Sequence, residues 1–414
     1  MKRKKNRNQK NQNLKVIAAQ YRKDFLAKTR WYFEEWSENN LFLKLPPEEV
    51  DTLYKIHFTA PRIEPVADYF PDKKLLKQIK STLEYWLHLY KVKIAEDIAE
   101  IPLNHYCTYY LTIVNYLHTI KDNNQFKGAG IIREKFDRVL QDYDKTVKSA
   151  SDMQVRIAQM VGTFFSRPDL SYIWFAVDAK VNVGNRSGSY IIFKIRSEKP
   201  VVKYFEIKGD RRPGFLLGFP RVTTGVDWRK IKLPSIKAFS YTNKVPVYVQ
   251  SHALIRLKER LDILKDIDIY YHFFFSIFNS SPLYHHNEWF FPMKLGDVVI
   301  GYFTGQLVDG ALVLKTFLFV TNEGTPEAER LTEIAGLAKL DIKYWKIDTL
   351  RNFFESDISK NEHIRNIFEE AGCGGLFRIQ VDDPEKAYSG EVKIAAELQA
   401  YLGLLEESEI KDES

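Results

Sequence analysis

Apolar positions in the first 165 residues recur at spacings of three and four. Leu75, Leu76, Ile79, Leu83, Trp86, Leu87 and Tyr90 form one such stripe, which predicts a helix over 72–99, ended by Pro102. Leu14 to Trp36 contains neither Pro nor Gly and follows a looser stripe. Pro46-Pro47 followed by Glu48 and Glu49 reads as a connection and the first turn of another helix. Tyr106 to Ile120 and Ile131 to Val147 continue the helical period, so residues 14–165 read as a bundle.

The period changes near Pro168. Ser171 to Val183, Ser189 to Arg196 and Val201 to Lys208 are rich in Val, Ile, Tyr and Phe. Segments 184–188 and 197–200 between them carry turn residues, so these are strands. Val245 to Gln250 is a further short strand. Asp297 to Leu307 and Ala311 to Thr321 flank Asp309-Gly310, a strong hairpin signal. The second of these runs is apolar on both faces, which predicts a central strand. Thr325-Pro326-Glu327 reads as a helix start, with Thr as cap and Pro in the first turn. Residues 350–405 return to helix. The fold class is α+β: a helical N-terminal region over 14–165, a mainly antiparallel sheet domain with flanking helices over 166–345, and a helical C-terminal region over 346–405.

Composition adds bounds. Of 414 residues, 45% are hydrophobic and 28% charged, and 28 Phe with 23 Tyr can fill large cores. The dense aromatic groups, such as Trp31-Tyr32-Phe33 and Tyr270 to Phe278, are expected to be core. No apolar run approaches a membrane span, and no apolar stretch follows the basic start, so neither a membrane partner nor a secretory signal is expected. Cys107 and Cys373 lie far apart in no metal or redox spacing, which suits reduced thiols in a cytoplasmic protein.

Residues 1–15 hold Lys2, Arg3, Lys4, Lys5, Arg7, Lys10 and Lys15 and no acid, which matches the whole net charge of +7. An acidic tail over 406–414 leaves the body only weakly positive, too dilute to mark a nucleic-acid surface. The segment 1–13 reads as a disordered basic arm, able to contact RNA phosphate without sequence preference or to act as a solubilising tail.

The segment with the most chemistry is Ser251 to Arg260. Ser251 suits a helix cap, and Leu254, Leu257, Leu261 and Leu264 form one stripe. His252, Arg256, Glu259 and Arg260 fall on the opposite side. A histidine in the first helical turn is biased toward its neutral form and can act as a general base. Arg256 and Arg260, one turn apart, can clamp a phosphate, and Glu259 can orient Arg256. The competing reading is a surface helix with ordinary ion pairs.

This helix, with its His-Ala-x-x-Arg start and the strands and tight hairpin after it, resembles the ribonuclease-like α+β domains grouped around barnase, EndoU, colicin and RelE toxins. The resemblance covers about 245–345. It implies RNA cleavage without a metal or other cofactor, with His252 as acid/base, Arg256 on the phosphate and Arg260 as a further match to the motif. Lys315, Thr316, Tyr302 and Thr321 on the hairpin are further candidates that no motif assigns. The aromatic stretch from Ile269 to Pro292 departs from the family.

Three other signals compete. Glu206-Ile207-Lys208 at a strand end, with Asp178 upstream, fits a metal-dependent nuclease of the Glu-x-Lys type. Lys208 to Gly214, with Arg221, Arg229, Lys230 and Lys232, forms a basic loop. His285-His286-Asn287-Glu288 suggests metal ligands, but adjacent histidines on a strand point to opposite faces and no third ligand stands at a metal spacing. Structural loop residues, and no metal, are therefore expected there. The phosphate loop, dinucleotide fingerprint and nucleophile elbow are absent, which removes support for kinase, dehydrogenase and esterase classes. Three functions remain: a metal-independent ribonuclease-like protein, a non-catalytic protein binding nucleic acid or a protein partner, and a metal-dependent nuclease of the Glu-x-Lys type.

Overall fold

The structure, a computed structural model, describes residues 2–37, 40–66, 70, 72–120, 125–182, 188–234, 244–337, 339–379 and 394–402; within these, only the backbone is described for 2–13. The acidic tail and most of the predicted 184–188 turn lie outside the described residues. About 50% of the described residues are helical and 26% strand, an α+β fold. The chain divides into two compact units, one of 1–161, 174–196 and 222–224, the other of 162–173, 197–221 and 225–414. No helix among the described residues is long and apolar enough to cross a membrane.

The first unit is mostly helical. Helix α1 (Lys2–Ser37) has a helical backbone from Lys2, inside the segment expected to be a disordered arm. Lys, Arg and Gln are good helix formers, and no Pro or Gly interrupts them. Its second half buries Phe25, Tyr32, Phe33 and Trp36. Helix α2 (Pro47–Lys55) starts with Pro in its first turn, as the sequence predicts. Helix α3 (Lys73–Leu89) is capped by Asp72, whose side chain accepts from the Lys74 amide at 2.9 Å. It buries Ile79, Leu83 and Leu87 and stops well short of Ala99. Tyr90 is already extended, and Lys91–Val92 pairs with Ile101–Pro102. Ile94 and Ile98 continue the spacing of four beyond Tyr90, but Val92, Ile94 and Ile98 are buried from non-helical backbone.

Leu103–His105, a π-helical turn at Tyr106–Tyr110 and α4 (Leu111–Thr119) follow one another. The helix expected over 131–147 is instead split into Ala129–Lys135 and Asp137–Gln141 before α5 (Tyr143–Phe165) begins. A three-stranded sheet completes the unit: β1 (Arg62–Pro65), β3 (Tyr190–Glu198) and β2 (Tyr172–Lys180), in that order, with β1 and β3 parallel. The first two predicted strands thus fall mostly in this unit, apart from the large sheet.

The second unit is built on that large sheet. Its main strands are β4 (Val202–Ile207), β5 (Asp210–Leu216), β6 (Val245–Gln250), β7 (Leu283–His285), β8 (Glu288–Leu295), β9 (Val298–Val308) and β10 (Ala311–Phe319), and a short eighth strand, Lys230–Ile231, pairs antiparallel with the start of β6. Their spatial order is β7-β8-β9-β10-β6-β5-β4. All neighbours are antiparallel except β6 and β10, where Val247, Tyr248 and Val249 run parallel to Leu312, Val313 and Leu314. Strand β10 is therefore interior, as its two apolar faces require. The β9–β10 turn has Asp309 and Gly310 both at positive φ (48° and 71°), the hairpin geometry expected of Asp-Gly.

One sequence reading is corrected here, and one stretch to which the sequence assigned no element gains its structure. The supposed basic loop 208–214 is mostly β5, and only Lys208-Gly209, both at positive φ, form the turn. The aromatic stretch after Ile269 is helix α7 (Asp266–Asn279) followed by the β7–β8 hairpin, which adds two strands. Helix α6 (Ser251–Arg260) packs against β10, with Leu254, Leu257 and Leu261 buried in the main core. Each buried leucine contributes roughly 1.5–3 kcal/mol. The same core takes Phe273, Phe274 and Ile277 from α7, and it continues into α8 (Pro326–Ala335), α9 (Leu350–Glu355), α10 (Glu362–Glu370) and α11 (Ala395–Tyr401). Phe205, Tyr248 and Val313 form a smaller cluster on the other sheet face.

Candidate functional site

On α6 the leucines point inward, as their spacing predicts. Ser251 is the first helical residue, and Gln250 takes the cap position without a side-chain bond, so the expected Ser251 cap is not formed. Gln250 belongs to the extended β6, and the helix begins directly from that strand. His252 is exposed in the first turn. Arg256 donates to Glu259 at 2.7 Å on the solvent face, the pairing read from the sequence. Arg260 departs from that face: it pairs with the Asp348 carboxylate and donates to the Asp348 carbonyl at 3.1 Å. Both partners are largely buried, so Arg260 ties α6 to the segment before α9 rather than clamping a ligand with Arg256.

The hairpin candidates have other partners. Tyr302 donates to Glu327 at 3.0 Å, Thr321 to the Ile347 carbonyl at 2.6 Å, and Lys315 to Glu288 at 2.5 Å. The Glu-x-Lys elements fall on different sheets. Asp178 pairs with Lys194 at 2.6 Å in the three-stranded sheet, while Glu206 lies on β4 of the large sheet.

The structure instead gathers chemistry at the β7–β8 hairpin. His285 and Glu288 are cross-strand partners, and His286 and Asn287 form the two-residue turn between them. Both turn residues have positive φ, 45° and 62°, as a type I′ turn demands. Asn and His tolerate this left-handed region better than most residues. The turn takes His286 out of strand alternation and brings its ring centroid to 4.1 Å from that of His285. Opposite them stands Glu329, in the first turn of α8. Thr325 caps α8 by accepting from the Ala328 amide, and Pro326 sets the first turn.

One Glu329 oxygen lies 3.0 Å from Nε2 of His285 and 2.5 Å from Nε2 of His286. All three donor atoms lie within 4.8 Å of one another. Two imidazole nitrogens and a carboxylate oxygen are the donor set of a divalent transition metal, and three protein ligands leave a coordination position for solvent. His285 is 25% exposed, Glu329 36% and His286 67%, so the group is open on the His286 side.

A half-buried polar network adjoins it. The register between β9 and β10 shifts after Thr304, which makes Lys315 the extra residue of a bulge. Its side chain is 15% exposed, and its ammonium donates to Glu288 and, at 3.3 Å, to Gln306. On α8, Glu327 accepts from Tyr302 and lies 3.5 Å from Arg330. Burial pushes the Glu327 carboxyl above its ordinary range, and bonds from Tyr302 and Arg330 only partly oppose this. Burial also raises the Cys373 thiol, with Glu327 nearby adding to the shift.

The sequence showed His285-His286 but not why two adjacent residues would converge. The turn signal was there in Asn287, which favours positive φ. Glu329 had no local signal, because it is 43 and 44 positions away from the two histidines. The chain matches no protein-family model, no curated protein and no solved structure.

Proposed function

We propose that the sheet unit binds one divalent transition-metal ion through His285, His286 and Glu329, and that the ion holds a water in its open position, the arrangement of hydrolytic metal sites. The observation that carries this reading is the convergence of both Nε2 atoms on Glu329 from a hairpin turn and a helix far apart in sequence. The Glu288 carboxylate, across the hairpin from His285 and paired with Lys315, is the group we assign to orienting that water. The test is a cobalt(II) titration followed by the visible d–d bands. One equivalent is expected to bind to the wild type and none to a His285→Ala/Glu329→Gln variant. Failure of the wild type to bind cobalt or zinc, or equal binding by the variant, overturns the assignment.

A second reading is favoured by the solvent face of α6. Exposed His252 and the Arg256–Glu259 pair suit contact with RNA, and the family resemblance adds metal-free cleavage by His252 and Arg256. RNA cleavage in EDTA by wild type and His252→Ala decides it. Equal activity in both, or none in either, removes the ribonuclease reading.

A further inference from the structure

Within the helical unit, α5 and the residue following α3 border an open groove of about 600 Å³, the size of a small-molecule site. On α5 its wall is one face of the helix: Lys145, Lys148, Met153, Arg156 and Met160 follow one another at spacings of three to five. Tyr90 closes the groove from the end of α3. Its ring stacks on Trp86, with centroids 5.4 Å apart and planes inclined by 24°, which fixes it as a platform. The floor is therefore aromatic and thioether. Lys145, Lys148 and Arg156 are exposed cations with no salt-bridge partner among the described residues, and one carboxylate, Asp152, stands among them.

We propose that this groove binds a nucleoside phosphate, with the base against Tyr90 and the methionines and the phosphates on Lys145, Lys148 and Arg156. Three cations against one carboxylate leave the groove a net charge of +2, which asks for a polyanion. An aromatic and sulfur floor asks for a flat, polarisable ring. An acidic peptide would satisfy only the first requirement. The site is independent of the metal reading, because every residue in it belongs to the helical unit.

The test is calorimetry on the full chain with three probes: ATP, tripolyphosphate and a single-stranded hexauridylate. ATP or the hexamer is expected to bind more tightly than tripolyphosphate. Lys148→Gln/Arg156→Gln should weaken all binding by roughly tenfold or more, and Tyr90→Ala should weaken only the base-bearing probes, also by roughly tenfold. Preference for ATP identifies a free nucleotide, and preference for the hexamer a strand; each supports the shared chemistry. Tripolyphosphate bound as tightly as both base-bearing probes, binding unchanged in the variants, no binding at all, or displacement of bound probe by a poly-glutamate peptide at comparable affinity would overturn it. Lys148 and Arg156 are exposed, so their replacement leaves the core intact, and circular dichroism of Tyr90→Ala provides the control for folding.

Discussion

His286→Asn separates a ligand site from a surface ion pair. His286 is 67% exposed, and Asn accepts the positive φ of 45° that the turn imposes. Without metal, the substitution should change stability by no more than about 0.5 kcal/mol, as for an ordinary surface change. With metal the expectation differs. An ion that binds only the folded unit at a free concentration of about one hundred times its Kd stabilises it by about 2.7 kcal/mol. A unit of this size gains about 2–4 °C in Tm per kcal/mol, so zinc should raise the transition of the sheet unit by roughly 5–10 °C. Thermal unfolding is followed by circular dichroism in EDTA and in buffered zinc. Wild type and His286→Asn should coincide in EDTA, and only wild type should rise in zinc. An equal rise in both refutes the role of His286, and no rise in wild type refutes the site. A drop of more than about 1 kcal/mol for the variant in EDTA would show that the His–Glu contact is itself structural.

Asp348→Asn should cost about 1–3 kcal/mol in urea unfolding, because it leaves the largely buried Arg260 guanidinium without its counter-charge, whereas His252→Ala on the exposed face should change stability by less than about 0.5 kcal/mol. Equal effects would contradict the distinct placement of the two residues. Gly301→Ala should destabilise by at least about 1–3 kcal/mol, since a Cβ there would lie 2.2 Å from the Leu318 carbonyl oxygen and 2.6 Å from the Phe317 ring; a neutral effect in denaturant titration refutes the close approach of β9 and β10. Glu327→Gln should be more stable than wild type at neutral pH. Burial raises the folded-state pKa of Glu327, so its contribution is full below the ordinary value of 4.5 and is lost as pH rises through the folded value. Urea unfolding between pH 4 and 8 should show the advantage of Gln shrinking toward acid, and a pH-independent difference would contradict a raised carboxyl.

Local physics was readable wherever it decided the outcome locally. The leucine stripe of α6, the Asp309-Gly310 turn and the Thr325-Pro326 start of α8 each depend on a few neighbouring residues, and each took the form their side chains dictate. The end of α3 was not legible, because Ile94 and Ile98 keep the helical spacing after Tyr90 while being buried from non-helical backbone, which a period alone cannot distinguish from a continuing stripe. The β5 strand was hidden behind its charged residues Asp210, Arg211 and Arg212, which are exposed while Phe205 and Ile207 on the partner strand supply the core.

The sequence by itself determined the fold class, the core face of α6 and the Arg256–Glu259 pair, because periodicity and i to i+3 contacts lie within a single element. Tertiary structure alone decided which polar residues meet. Arg260 was drawn to Asp348, 88 positions away, and Glu329 was brought to two histidines that a left-handed turn had placed side by side. The spacing of residues along one helix fixes a face, but a site assembled from a turn and a distant helix depends on sheet register and on the docking of α8, and neither is written in local spacing.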